Sequence, residues 1–176
     1  QRDEHVGIVK SLTRVDWLVL LVVVLHALVL RAAPESPRLL YAALAVYTLF
    51  LIAFRWRGFP VQDTGARIAL GAAAMVAFIT VVAILTGGSS SPMVNLYLLP
   101  IVLVAMTLGR RGALVIFIGI TLAWLSVIVG EGPLPGVAEL LARMFGVLGP
   151  YALVAYLTQA LAGTIMTARR RIEEMA

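Results

Sequence analysis

Apolar residues in this chain fall in long blocks with few charges. They do not form the short alternating runs of strands or the 3.6-residue stripes of soluble helices. Six blocks can be marked: Val15 to Leu30, Leu39 to Phe54, Ile68 to Leu85, Met93 to Leu108, Ala113 to Val129, and one beginning near Val137. Each reads as a helix that crosses a bilayer. Several are at the short end of what spans about 30 Å of hydrocarbon. Trp17, Trp56, Tyr41 and Tyr97 can extend them into the interfaces. The connections are short, so neighbouring helices run antiparallel. The pattern therefore predicts an all-α, integral membrane bundle of six transmembrane helices over residues 1–160. The last helix extends into a cytoplasmic coiled coil that starts in 161–176.

Composition sharpens this picture. The chain is 61% hydrophobic, with a mean hydropathy of +1.00, well above a soluble domain of ordinary make-up. Its net charge of +5 would point to nucleic acid in a soluble protein. Here the basic residues lie between the apolar blocks, where they orient the chain, and no nucleic-acid partner is expected. Arg2, Lys10, Arg14, Arg55, Arg57, Arg67, Arg110, Arg111 and Arg169 to Arg171 collect on one side if the N-terminus is inside. Only Arg31, Arg38 and Arg143 fall on the other, so eleven of the fourteen basic residues vote for cytoplasmic N- and C-termini. The first block exits through Leu30-Arg31-Ala32-Ala33-Pro34. That is a poor signal-peptidase site, so the block reads as a retained helix. The outer loops are short and rich in Gly, Ser and Pro, with no room for a periplasmic ligand-binding domain.

Candidate chemistry is sparse. The absence of cysteine excludes disulfides, thiolate metal sites and cysteine nucleophiles. No block carries a central Asp, Glu, Lys or Arg, which weighs against an ion-coupled transporter or a small channel. No metal centre is expected from the remaining side chains. His26, toward the outer end of the first block, is open to two readings. It can hydrogen-bond a neighbouring helix, or it can ligate haem b across a symmetric dimer, as in a haem- or quinone-binding redox membrane protein. Asn95 begins the fourth block beside the loop Thr86 to Pro92, and a buried amide there needs a partner. With no soluble ligand domain, the expected ligand is a lipophilic small molecule, such as a quinone or fatty acid, or the state of the bilayer itself. Its expected site lies between helices in the outer half, near Asn95, Tyr97 and Pro100. Pro100 and the pair Gly149-Pro150 can kink their helices. The frequent Gly and Ala within the blocks allow close helix packing or a dimer face.

The last helical pattern runs from Val137 to Ala176 with no stop after Pro150. At 1.5 Å per residue this makes a helix of roughly 60 Å. In its projecting part Leu161, Ile165, Ala168, Ile172 and Met175 recur at spacings of four, three, four and three. These are a and d positions of a short coiled coil. A basic amphipathic surface tail is the alternative. Continuity with a bundle helix makes this seam a candidate signal relay.

Three stretches resemble the six-helix input regions of bacterial membrane signalling proteins. They are Thr86-Gly87-Gly88-Ser89-Ser90-Ser91-Pro92, Asn95-Leu96-Tyr97-Leu98-Leu99-Pro100-Ile101 and Leu108-Gly109-Arg110-Arg111-Gly112-Ala113. The closing Ala168-Arg169-Arg170-Arg171-Ile172-Glu173-Glu174-Met175-Ala176 resembles the helix that leads into a GGDEF diguanylate cyclase domain. Sensor histidine kinases, as in two-component systems, share the architecture. The resemblance implies a multi-pass protein of the bacterial inner membrane, a homodimer, and an output domain outside this sequence. That domain alone would take GTP and Mg. The sequence contains no GGDEF motif, phosphoacceptor histidine motif or nucleotide loop, so this chain is not itself the catalyst.

Overall fold

In a computed structural model of the chain, residues 17–25, 37–55, 64–132 and 136–175 are described, and apart from Ser91, Gly132 and Gly136 everything in them is helix or turn. A first helix covers 17–25 (α1). It is followed by α2 (Pro37–Arg55), α3 (Thr64–Leu85), α4 (Leu98–Thr107), α5 (Gly109–Gly130) and α6 (Val137–Met175). Three of the described helices are long and apolar enough to cross a membrane: α3 over Gly65–Leu85, α5 over Gly109–Gly130 and α6 over Val137–Leu161. Two shorter apolar helical stretches cover Arg38–Phe54 and Pro92–Thr107. His26 and the rest of residues 26–36, with 1–16, 56–63, 133–135 and 176, lie outside the described residues.

α3 is the central helix. It packs against α2, α4 and α5, and its Ala72, Met75, Ile79 and Val82 are wholly buried. Val19 and Val23 of α1, Leu44, Tyr47 and Leu51 of α2, and Ile120, Trp124 and Ile128 of α5 join the same core. α6 runs along the edge against α4 and α5. It turns Leu148 and Tyr151 inward, with Leu140, Met144, Val147 and Ala155 half-buried on the same 3.6-residue stripe. Its outer face exposes Val137, Leu141, Phe145, Leu153 and Leu157. α2 and α5 likewise expose Leu39, Val46, Leu49, Val115, Ile118 and Leu122. Apolar side chains on both the core and the outer face are what a bundle solvated by lipid requires.

The two ends of the bundle differ. At one end Arg67 at the start of α3 donates to the carbonyl of Phe54 and lies 5.2 Å over its ring, joining α2 to α3. Arg110 and Arg111 open α5 at this same basic end. At the opposite end the α3–α4 loop meets the end of α5, where Glu131 accepts from the backbone N–H and the hydroxyl of Ser89. Gly88 sits there at φ +64°, and a side chain on it would collide with the Glu131 carboxylate.

The fourth apolar block departs from the expected α-helix. Its first half is a 3-10 helix, Pro92–Tyr97, and α-helical geometry begins only at Leu98. Ser91 accepts from the N–H of Met93 and caps the start. Pro100 has no N–H to donate to Leu96, and it sits in the first turn of α4, where no such bond is required. Six residues at about 2 Å rise and ten at about 1.5 Å give the block a length of about 27 Å.

Candidate functional site: a groove and the hydroxyls behind it

α3 and α5 do not close on each other along their whole length. α3 turns Ala69, Ala72, Ala73, Val76, Ala77 and Thr80 to one side, a single helical face at spacings of three and four. α5 answers with Gly112, Ile116, Gly119, Ala123 and Ser126. Side chains this small cannot bridge the gap, and a groove of about 850 Å³ remains between the helices. That lies within the ~300–1,000 Å³ of small-molecule sites. The groove is almost wholly apolar. Arg111, exposed at the basic end, is its one charged wall residue. Gly119 stands in open space, with nothing near a Cβ added there. Gly112 is different: a Cβ would collide with that of Leu108, so glycine lets the end of α4 approach α5.

The two hydroxyls of the groove are satisfied from within. Ser126 donates to the carbonyl of Ala123. Thr80 donates to the carbonyl of Val76 at 2.7 Å, which uses its one proton. The 2.7 Å contact between Thr80 Oγ1 and the Tyr97 hydroxyl must then be donated by Tyr97. Thr80 therefore faces the groove while holding, from behind, the last residue of the 3-10 helix.

The chain of contacts continues. Tyr151 of α6 is buried and donates its hydroxyl at 2.7 Å to the carbonyl of Val94, inside the same 3-10 helix. A second pair fixes the other end of that segment. Ser91 donates to Thr86, which donates to the carbonyl of Val82. The 3-10 helix is thus held between α3, which walls the groove, and α6, which leaves the bundle.

The residues expected to sense a ligand are placed as follows. Tyr97 and Pro100 are fully buried, and neither is in the groove wall. Tyr97 reaches the wall only through Thr80. Asn95 is exposed on the 3-10 helix. Of the relay positions, Leu161 is exposed on α6, and the helical backbone continues through Ile165, Ala168, Ile172 and Met175. The side chains from residue 165 onward lie outside the described residues, as does His26. Sequence reading singled out neither Tyr151 nor Thr80 as a site residue. Only the recurrence of Ala and Gly at spacings of three and four on two separate helices could have pointed to the groove. Among the described residues, no three His, Asp or Glu side chains gather to hold a metal. No protein-family model matches the chain, and no curated protein or solved structure matches it either.

Proposed function

We propose that this chain is a membrane-embedded sensory domain that relays a lipophilic signal along α6 to a cytoplasmic output domain. The observation that carries the reading is α6 itself. It is one unbroken helix of 39 residues whose first part packs on the bundle through Tyr151 and whose last 14 residues run beyond the apolar stretch ending at Leu161. At 1.5 Å per residue that projection is about 20 Å long. A displacement of the bundle end must be delivered to whatever the helix carries.

The reading takes all six apolar blocks as spans in a bacterial inner membrane, with both termini cytoplasmic. The basic end of the bundle, with Arg67, Arg110 and Arg111, then faces the cytoplasm. The groove between α3 and α5 supports a lipophilic ligand of the quinone or fatty-acid kind, because most of such a molecule is hydrocarbon that suits almost wholly apolar walls. Occupation beside Thr80 biases the Thr80–Tyr97 contact. The 3-10 helix then passes the change to Tyr151 and α6. The output we favour is a diguanylate cyclase, in which the geometry of two α6 helices in a dimer sets how two catalytic domains meet. A histidine kinase would use the same lever.

Gly119→Leu serves as a built-in surrogate ligand, because it fills the groove from an open position. Joined to a GGDEF reporter and reconstituted in vesicles, this variant is expected to change the rate of cyclic-di-GMP formation at least about fivefold, a coupling of about 1 kcal/mol. An unchanged rate, from protein with unchanged helix content, would remove the relay.

A further inference from the structure

A second cavity lies on the other flank of α5. It is a notch of about 230 Å³ between α5 and α6 at the basic end. Its polar wall groups are Arg110 from the first turn of α5 and Tyr156 and Gln159, one turn apart on α6. Phe117 and Ala152 lie about 10 Å deeper along the same two helices, at seven residues' distance from Arg110 and Gln159. The notch therefore has a polar mouth and an apolar floor.

Three independent features of the mouth ask for an anion. Arg110 is exposed and has no acidic partner among the described residues. The N-terminus of α5, where Arg110 sits, has no side-chain cap and no acidic residue in its first turn, so no side chain of its own offsets its positive dipole end. The side-chain amide nitrogen of Gln159 is buried and has no acceptor among the described residues. A donor in that state costs about 1–3 kcal/mol until an acceptor oxygen arrives.

We propose that this notch binds the phosphate of an anionic phospholipid, with the start of an acyl chain on its apolar floor. Arg110 pairs with the phosphate, and Tyr156 and Gln159 donate to its oxygens. A free anion would satisfy the mouth but leave the floor of Phe117 and Ala152 unfilled. Basic pockets between helices at a cytoplasmic membrane face suit such headgroups. A bound lipid spans α5 and α6 and holds α6 to the bundle at the point where it exits, so lipid composition would set the stiffness of the relay. The assignment rests on the membrane placement of the basic end, but not on what α6 carries.

The test uses the full chain in nanodiscs of phosphatidylcholine with a minor fraction of phosphatidylglycerol, with co-purifying lipid counted by native mass spectrometry. The wild type is expected to retain phosphatidylglycerol over phosphatidylcholine, and Arg110→Gln to lower that retention about tenfold. Arg111→Gln makes the same charge change on the groove side and is expected to leave retention as it is. Gln159→Leu should lower retention and raise thermal stability in pure phosphatidylcholine, because the orphaned donor is gone. Equal retention of the two lipids, or equal loss in both arginine variants, would overturn the notch. So would displacement of the lipid by millimolar inorganic phosphate, which would make the ligand a free anion. A chain that fails to enter the nanodisc overturns the membrane placement and the notch with it. Entry without lipid preference overturns the notch alone.

Discussion

Trp124→Ala is expected to destabilise the bundle by on the order of 2–3 kcal/mol, while Trp124→Phe costs less than about 1 kcal/mol. Trp124 is the largest of the fully buried side chains, at 1% exposure, and it sits on α5 among the core residues that hold α3 and α5 together. In a soluble core its truncation would cost about 3–5 kcal/mol, part of it the transfer of apolar surface to water. In a bilayer the separated helices are still solvated by hydrocarbon, so that part is largely lost. What remains is the void and its missing dispersion contacts. The indole N–H explains the contrast with phenylalanine. Trp124 Nε1 is buried without an acceptor among the described residues. Phenylalanine removes that unsatisfied donor and keeps most of the ring, so two terms of opposite sign nearly cancel. Reversible unfolding of the purified protein in mixed micelles, followed by circular dichroism, measures both variants. Equal losses for Ala and Phe would mean that the indole N–H makes a contact that phenylalanine loses.

Tyr151→Phe is expected to do the reverse, with a small effect on stability and a large one on coupling. The hydroxyl ties α6 to the carbonyl of Val94, and removing it changes no packing volume. Interhelical hydrogen bonds in membrane bundles contribute about 0.6 kcal/mol on average, so the fold is expected to survive. The same bond joins the 3-10 helix to α6. Without it, the roughly fivefold effect of Gly119→Leu on a fused cyclase is expected to vanish, a loss of about 1 kcal/mol of coupling. Tyr97→Phe breaks the chain one step earlier and leaves Thr80 bonded to Val76, so it is expected to give the same phenotype. A Tyr151→Phe protein that responds to groove filling like the wild type would show that the signal travels by another path.

The sequence made the helices legible where hydrophobicity alone decides them. The block read as Ile68 to Leu85 lies within α3, and the block read as Ala113 to Val129 lies within α5. Both helices begin four residues before their apolar block, because Thr64–Arg67 and Gly109–Gly112 continue the helix past the point where hydrophobicity marks a start. The 3-10 start of the fourth block was not legible. It depends on Ser91 and the prolines at 92 and 100 acting together, whereas hydrophobicity is the same for either helix type. The groove was illegible for a different reason. Polar residues draw attention as candidate ligands, so Asn95 stood out in the sequence. A groove for a lipophile is made by what is missing, and Ala73, Ala77, Gly119 and Ala123 carry no chemistry to read. Gly149-Pro150 drew attention as a kink, while the residue beside it, Tyr151, makes the contact with the 3-10 helix.

In the proposed relay, the state of the α3–α5 groove moves α6. The chain has no cysteine, so spin labels can be placed without background. Leu122→Cys on α5 and Leu161→Cys on α6 are both exposed and lie outside the groove and the notch. Pulsed electron resonance on this pair in nanodiscs compares Gly119 with Gly119→Leu, each with and without Tyr151→Phe. Filling the groove is expected to shift the distance distribution by about 1–2 Å, the scale of helix shifts in switching bundles, and Tyr151→Phe is expected to abolish the shift. Superimposable distributions for the empty and the filled groove would contradict the relay.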